Sequence, residues 1–510
     1  MRKILLLVLG CYITFSIKAQ SITPTFIIDS LNNYIKEGIK DWDIPGLAIA
    51  IVKDGKTVVM KGYGVTDIES KEPVDENTLF MIASNSKLFT GTALAKLEHE
   101  NRLSLDDKVS KYFPNYRLYD SNSTALVSIR DLLCHRIGTK TFQGDFVFWN
   151  SNLSRKEIIR KMSLLKPNAP FRQQYGYCNS CFMTAGEIIP IVTGQPWEVY
   201  VYDSIIIPLG MNNTYTLTQG LNQRSNVAKP YTNAYTNRLT EMPFDNIDNI
   251  GAAASIVSNV NDLSKWLIMQ LDSGRYNGKR ILPWEVLQKT RDINIITRSR
   301  KSTVYPSHFQ GYGLGVFAAD YNGRQIYWHT GGADGYVTNT CFVPEENLGI
   351  TILTNNDNQN FFELLRYQIL DAYLGVPYTN RSKNNLLAHQ KNLNEEAKNT
   401  QALYNRVKDN KPSFSLDHYI GTYTNEMYGD IEISKAKESN DLNIKFKGSN
   451  NLLGKLQYMD GDEWLLSYNI LGYGIFPVKF STTKTGLSLK LKVNDFIDYD
   501  YYVFSKKEKQ

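Results

Sequence analysis

The stretch from Phe80 to Leu103, FMIASNSKLFTGTALAKLEHENRL, places two serines and a lysine inside a mostly apolar run. From Ser84 onward the apolar side chains recur at steps of three and four residues, which predicts a helix. Ser84 and Lys87 are three residues apart, so their side chains project from the same face. The sequence therefore predicts a hydroxyl and an amine side by side at a helix start.

A serine hydroxyl is a weak nucleophile and needs a base within hydrogen-bond reach. Lys87 can be that base if it is buried, because desolvation disfavours the charged amine and lowers its pKa. Ser86 directly precedes Lys87 and points to another side, which leaves Ser84 as the candidate nucleophile, near helix-start N–H groups that stabilise an alkoxide. By itself, S-x-x-K more often means a capping serine followed by a surface lysine.

A second polar motif, Tyr177-x-Asn179, stands directly before another apolar helix in FRQQYGYCNSCFMTAGEII. A phenol beside a lysine can relay a proton to a leaving group. The Asn179 amide can hold both Lys87 and a substrate carbonyl. The plain alternative is a packing aromatic residue followed by an N-capping asparagine.

A third motif lies in the strand-like segment YWHTGGADGYVTNTCFV, where His329 and Thr330 precede two glycines, Gly331 and Gly332. Glycines on an edge strand let a substrate backbone approach closely. The N–H group of Gly332 could then face that of Ser84 as an oxyanion hole. The plain alternative is a hairpin with a hydrogen-bonded histidine.

Two predicted strands surround an Asp54-Gly55 turn near the start, and further strands follow residue 311. Helices are predicted between them at 128–135, 154–165 and 180–194, another after a cap at Asn261 or Asp262, and one at 360–374. The economical assembly is an α+β fold, in which one mainly antiparallel sheet joins both ends and helices flank it.

The chain divides into four predicted parts. Residues 1–19 form a signal peptide, and residues 20–378 form the domain that carries the three motifs. Residues 379–412 are a polar, partly helical linker. Residues 413–510 show short alternating runs with turn signals between them, which predict an all-β domain, a small barrel or sandwich.

The N-terminus, MRKILLLVLGCYITFSIKAQS, has a basic start, a short apolar run and a small residue, Ala19, after which cleavage is predicted. The mature protein is therefore expected to be periplasmic or secreted. A lipoprotein attached at Cys11 is the alternative. No later segment reaches the length that a membrane span needs.

The formal net charge of +6 includes three leader cations, Arg2, Lys3 and Lys18, and falls to +3 without them. No basic stripe with interleaved aromatics occurs, which argues against nucleic acid as a partner. The leader carries one of the five cysteines. Export permits a disulfide, but a lone C-x-x-C, at Cys178 and Cys181, is a weak redox or zinc signal, and small buried thiols are the favoured interpretation.

The three motifs, in this order, resemble those of the serine β-lactamase and penicillin-binding-protein superfamily. The Tyr-x-Asn form resembles the class C branch, which also contains D-alanyl-D-alanine carboxypeptidases, D-aminopeptidases and esterases. Framework segments such as IPGLAIAIVKDGKTVVMKGYG and GAAASIVSNVNDLSKWL extend the resemblance over residues 25–375. The C-terminal part is similar to lipocalin-like β-domains appended to some of these hydrolases, which can shape the cleft or mediate assembly.

The resemblance implies an antiparallel sheet between helices, a helical subdomain, and no metal or organic cofactor. It also implies that Ser84 is acylated, that Lys87 and Tyr177 share general-base and general-acid duties, and that Asn179 positions the substrate. The strand motif His329, Thr330, Gly331 and Gly332 would complete the substrate site, with the oxyanion held by the backbone N–H groups of Ser84 and Gly332.

Two features depart from or compete with this pattern. His329 stands where β-lactamases and carboxypeptidases of this type carry a lysine, and histidine is largely neutral at pH 7, which favours esters or peptides with D-residues. A literal KTG occurs at Lys484-Thr485-Gly486, where it is predicted to be a hairpin turn. His135 could be taken for a catalytic base, but the resemblance implies that this position, at the end of a helix, is structural in the family.

The sequence thus predicts an exported serine hydrolase that cleaves an ester or amide bond in a small molecule or peptide. One alternative is a β-lactamase or D-alanyl-D-alanine carboxypeptidase built on the same residues. Another is a non-catalytic protein that senses peptidoglycan fragments or β-lactams. The sequence leaves the substrate and the oligomeric state open.

Overall fold

The computed structural model describes residues 23–407, 412–437, 439–449, 451–483, 486–494 and 499–508. The predicted leader lies outside these residues. Among the described residues, no helix combines the length and apolar character that crossing a bilayer requires. The described chain forms an α+β body followed by a closed β-barrel.

Eight antiparallel strands form the central sheet of the α+β body. In chain order they are β1 Gly46–Lys53, β2 Lys56–Gly64, β3 Ile295–Arg298, β4 Gln310–Tyr312, β5 Phe317–Tyr321, β6 Arg324–Ala333, β7 Tyr336–Val343 and β8 Leu348–Thr354. Their spatial order is β2-β1-β8-β7-β6-β5-β4-β3. Because Leu47 in β1 lies opposite Thr354 in β8, the sheet joins the two ends of the body, which confirms the predicted architecture.

Each face of the sheet covers its own hydrophobic core, since side chains alternate along a strand. Leu47 belongs to the core beneath the helices Leu31–Asp41 and Phe361–Leu374. Its neighbour Ala48 belongs to the core on the other face, where the helix Val260–Leu271 contacts β1. The helices therefore lie on both faces of the sheet.

The remaining helices of this body are mostly short. They are Ser86–His99, Val109–Tyr112, Ser121–Leu126, Ile129–Leu133, Asp145–Phe148, Arg155–Lys161, Asn179–Gly186, Ile188–Thr193, Trp197–Val201, Gly251–Ala254 and Trp284–Arg291. The helix predicted over 180–194 is divided in two at Glu187. The cap expected at Asn261 or Asp262 is Asn259, whose side chain accepts a hydrogen bond from the Asp262 N–H group.

The segment predicted as a linker is largely one helix of 26 residues, Arg381–Arg406. It packs on the helix Phe361–Leu374 at its beginning. At its end Arg406 pairs with Asp460 and Glu463 of the barrel. The helix therefore contacts both bodies.

The barrel closes with eight antiparallel strands. They are β9 Gly421–Asn425, β10 Gly429–Lys435, β11 Leu442–Phe446, β12 Leu453–Tyr458, β13 Glu463–Tyr468, β14 Ile475–Thr483, β15 Gly486–Asn494 and β16 Tyr499–Lys506. Closure leaves no open sheet edge. Lys484 and Thr485 lie outside the described residues, between the paired strands β14 and β15, so the predicted hairpin turn at KTG remains a prediction.

Candidate active site

Ser84 lies in a single 3₁₀ turn, Ala83–Asn85, directly before the helix Ser86–His99. The helix therefore begins two residues later than the sequence periodicity predicts. Ala83 has a φ of +47°, a conformation that is costly for a residue with a Cβ atom and that is typical of functional sites. The turn leaves Ser84 on the wall of a cavity rather than inside a helical stripe.

Lys87 is fully buried, and its amine lies within reach of three acceptors. Its Nζ atom is 3.1 Å from Ser84 Oγ, 2.6 Å from Asn179 Oδ1 and 2.9 Å from the Ala253 carbonyl oxygen. An ammonium donates to all three. A neutral amine would donate to Asn179 and Ala253 and present its lone pair to the Ser84 hydroxyl.

Burial lowers the pKa of Lys87 well below that of an ordinary lysine, because the charged form loses its hydration. Asp145 raises that pKa through its negative charge, but burial has the larger effect. The arrangement therefore favours the neutral amine, the form that can accept a proton from Ser84.

Tyr177 packs with its ring centroid 4.6 Å from the Lys87 amine. Its hydroxyl is buried and has no hydrogen-bond partner of normal geometry among the described residues. Burial raises the pKa of Tyr177 far above the usual phenol value, and the nearby Ser84 hydroxyl only partly offsets this. The phenol therefore keeps its proton and can donate it.

Asn179 is the first residue of the helix Asn179–Gly186 and is 3% exposed. Its Oδ1 atom accepts from Lys87, and its Nδ2 atom donates to Asp145 Oδ2 at 2.6 Å. Sequence reasoning missed Asp145. The available signal was an acidic residue amid the aromatic side chains of GDFVFW.

His329 lies in β6 and is 1% exposed. Its Nδ1 atom lies 2.5 Å from the Thr330 carbonyl oxygen, which can only accept, so Nδ1 carries the proton. The Nε2 atom then accepts from the Tyr312 hydroxyl at 2.9 Å. Burial, with a smaller contribution from Lys87, lowers the pKa of His329 to about 3, so the ring is uncharged at neutral pH.

β6 is an interior strand of the sheet and not the edge strand expected from its glycines. Its pairing with β5 ends at Trp328, whereas its pairing with β7 continues to Ala333. A Cβ atom at Gly331 would lie 2.1 Å from the Ile82 carbonyl oxygen, whereas one at Gly332 would have open space. Gly331 therefore allows β6 to pack closely against the segment that carries Ser84.

His135 packs against the residues of the second motif. Its φ is +59°, and its Nδ1 atom accepts from the Cys178 N–H group at 3.0 Å. Its ring packs against that of Tyr177, with 4.2 Å between centroids. Tyr177 lines the cavity and His135 does not, so these contacts are those expected of a structural residue.

Cys178 and Cys181 form a disulfide, which differs from the small free thiols favoured by the sequence interpretation. Cys178 also caps the helix Asn179–Gly186, since its Sγ atom accepts from the Cys181 N–H group. The disulfide thus encloses Asn179. Cys134 and Cys341 are buried free thiols.

The motifs meet at a cavity of about 270 Å³. It is lined by Ser84, Thr141, Phe142, Trp149, Tyr175, Tyr177, Asn179, Phe317, His329, Thr330 and Gly332. Because His329 is neutral, none of these side chains carries a charge at neutral pH. The described residues contain no group of three or more His, Cys, Asp or Glu side chains placed to hold a metal ion.

Comparison with known proteins agrees with this fold. The beta-lactamase family model matches residues 31–374, and a domain family of unknown function, DUF3471, matches residues 405–506. The unguisins hydrolase ungD of Aspergillus violaceofuscus is 26% identical over 432 residues, which cover 78% of this chain and 75% of that protein. Protein flp of Staphylococcus aureus strain N315 is 26% identical over 66% of this chain and 65% of its own length.

The fold is also similar to that of the octameric penicillin-binding protein homologue from Pyrococcus abyssi. The TM-score is 0.59, with 23% identity over 94% of this chain and 96% of the other. At this identity the likeness supports the fold alone. It extends across both the α+β body and the barrel.

Proposed function

Because the chain belongs to the beta-lactamase family, we propose that it is an exported serine hydrolase that cleaves an ester or amide bond through an acyl-enzyme on Ser84. The observation that carries this proposal is the buried Lys87 amine 3.1 Å from Ser84 Oγ. Two acceptors other than Ser84 hold that amine in place. Export rests on the leader-like residues 1–19 alone.

In acylation, neutral Lys87 takes the Ser84 proton while Oγ bonds to the substrate carbonyl carbon. The backbone N–H groups of Ser84 and Gly332 stabilise the oxyanion. As the bond to the leaving group breaks, Tyr177 donates its proton to that group and recovers one from Lys87. Water then attacks the acyl-enzyme with the same residues in reversed roles, which releases the acid and restores Ser84.

The cavity supports a substrate without a negative charge next to the reacting carbonyl. Its walls are aromatic, and the position that would present a permanent cation holds neutral His329 instead. Lys87 lies close enough to lower the pKa of His329, but its proposed role requires a neutral amine. An uncharged ester or amide with a small apolar acyl group therefore fits better than a β-lactam carboxylate or a D-alanyl-D-alanine end.

The proposal is tested by incubating the mature protein with a fluorophosphonate, measuring its intact mass and sequencing the labelled peptide. An adduct on Ser84 that is absent from Ser84→Ala supports an activated serine. No adduct, or one elsewhere that persists in Ser84→Ala, contradicts the proposal.

Substrates then separate the remaining possibilities. Turnover of a neutral 4-nitrophenyl ester or a D-amino-acid amide, with slow hydrolysis of a chromogenic cephalosporin, supports the proposal. Faster turnover of the cephalosporin would favour a β-lactamase. Stable acylation without turnover of any substrate would favour a sensor protein.

A further inference from the structure

Phe146 connects the α+β body to the barrel. It lies in the four-residue helix Asp145–Phe148 and is 6% exposed. Five barrel rings have centroids between 5.1 and 6.4 Å from its own, namely those of Tyr428, Phe446, Tyr468, Tyr473 and Tyr502. Aromatic packing of this density fixes a side chain through its buried area and ring contacts.

The segment that follows Phe146 is tied to the barrel by hydrogen bonds. The Ser449 hydroxyl donates to the Asn150 carbonyl oxygen at 3.1 Å. The Asn152 N–H group donates to the Gly448 carbonyl oxygen at 2.9 Å. A four-residue helix has little stability of its own, so its position depends on such contacts.

The residue before Phe146 reaches the catalytic centre. Asp145 is 4% exposed, and its Oδ2 atom accepts from Asn179 Nδ2 at 2.6 Å. The Asn179 Oδ1 atom accepts from Lys87 at 2.6 Å. Two adjacent residues of one short helix therefore make different contacts. Phe146 packs against the barrel, and Asp145 binds the Asn179 amide that orients the candidate base.

Asp145 also acts on Lys87 through its charge. The titratable groups that face Lys87 are Tyr177, His135, His329 and Asp145. Burial favours the neutral form of the first three, and Asp145 is the group among them whose charge raises the pKa of Lys87. This negative charge partly offsets the lowering of the Lys87 pKa caused by burial.

We propose that the barrel is a working part of the catalytic centre: it anchors Phe146, and through the adjacent Asp145 it orients Asn179, which in turn holds Lys87. Asp145 and Phe146 are positioning residues in this scheme. The inference rests on the proposed function, since it needs Ser84 to react with Lys87 as base. It goes further by assigning the C-terminal domain a role in the chemistry.

The test compares fluorophosphonate labelling rates of Ser84 in the full chain from pH 5 to 9. Asp145→Asn keeps the shape and the carbonyl acceptor but removes the charge. In wild type the labelling rate should fall at low pH as Lys87 gains a proton, and we call this fall the acid limb. In Asp145→Asn we expect the acid limb to move to lower pH by about one unit or more, because the anion that raised the pKa of Lys87 is gone. A merely structural substitution would lower the rate without moving the limb.

Phe146→Ala removes the ring that packs against the five barrel aromatics. We expect about 10- to 100-fold slower labelling at every pH, since misplaced catalytic groups lose rate steeply. Phe146→Leu keeps an apolar side chain and should recover most of the rate. Phe476→Ala is the matched control, because it removes a barrel ring that contacts Tyr235, a residue outside the helix Asp145–Phe148, at 5.9 Å between centroids. Its rate should stay within about threefold of wild type.

The outcomes separate the inference from the proposed function. If wild type is not labelled at Ser84, the proposed function fails and the inference falls with it. If wild type is labelled but Asp145→Asn keeps the wild-type limb, or Phe146→Ala keeps the wild-type rate, the inference alone is overturned. Should Phe146→Ala fail to fold, the acid limb of Asp145→Asn decides, with thermal melts recorded for each variant.

Discussion

The Lys87 amine lies closer to the Asn179 amide oxygen, at 2.6 Å, than to the Ser84 hydroxyl oxygen, at 3.1 Å. The Ala253 carbonyl oxygen lies 2.9 Å from the same amine. A neutral Lys87 amine can donate its two hydrogens to these two oxygens. Its lone pair is then directed to Ser84. The amide therefore orients the candidate base, and the shortest of the three Lys87 contacts is the one to Asn179, not the one to Ser84.

Replacing Lys87 should abolish activation of Ser84. For Lys87→Met we expect labelling and ester hydrolysis to fall by about 10²–10⁴-fold, the usual contribution of a general base. Lys87→Arg should be equally inactive, because a guanidinium retains its proton. An active arginine variant would mean that charge, not proton transfer, is what Lys87 supplies.

Tyr177→Phe should discriminate between leaving groups. The hydroxyl keeps its proton, since burial raises its pKa, so its loss should matter most when the leaving group needs protonation. We expect kcat/KM to fall by about 10²–10³-fold for an alkyl ester or amide and far less for a 4-nitrophenyl ester. Equal losses for both substrates would assign the phenol to another step.

His329 should determine the preferred substrate charge. We expect wild type to favour a neutral aryl ester over one that carries a carboxylate of equal size, and His329→Lys to shift that ratio of kcat/KM by about tenfold or more. His329→Asn, which stays neutral, is the control and should retain the wild-type preference. A wild-type enzyme that prefers the anionic ester would contradict this assignment.

The half-buried carboxyl of Asp357 should make stability fall as pH rises. Burial raises the pKa of Asp357 to about 6 in the folded protein, although its Oδ2 atom accepts from the Gly335 N–H group. Between the ordinary aspartate value and about 6, the folded state binds more protons than the unfolded state, so stability declines with pH across that window.

Asp357→Asn keeps an acceptor and cannot ionise. Its stability relative to wild type should therefore improve between pH 4 and pH 7.5, by up to about 3 kcal/mol. Thermal or urea unfolding at the two pH values measures the change. Asp203→Asn, at an exposed position, is the control. If the difference in the free energy of unfolding between Asp357→Asn and wild type does not vary with pH, the pKa of Asp357 is not raised in the folded protein.

Much of the site could be anticipated because its chemistry is local. Ser84 and Lys87 are three residues apart, so spacing alone predicts that their side chains lie on one face. The joining of β1 and β8 also follows from strand signals at both ends of the body. Other features depend on sequence-distant contacts, such as the Asn259 cap and the open side of β6 beyond Trp328.

The sequence by itself determined the nucleophile motif, its two companion motifs and the α+β architecture, because these depend on periodicity and short spacing. Only the tertiary structure decided the protonation states and the partners. Burial by other elements lowers the pKa values of Lys87 and His329, and no spacing encodes that depth. Asp145 meets Asn179, and Phe146 meets the barrel, across long stretches of chain. A pKa is set by everything that surrounds a group, and those surroundings exist only once the chain has folded.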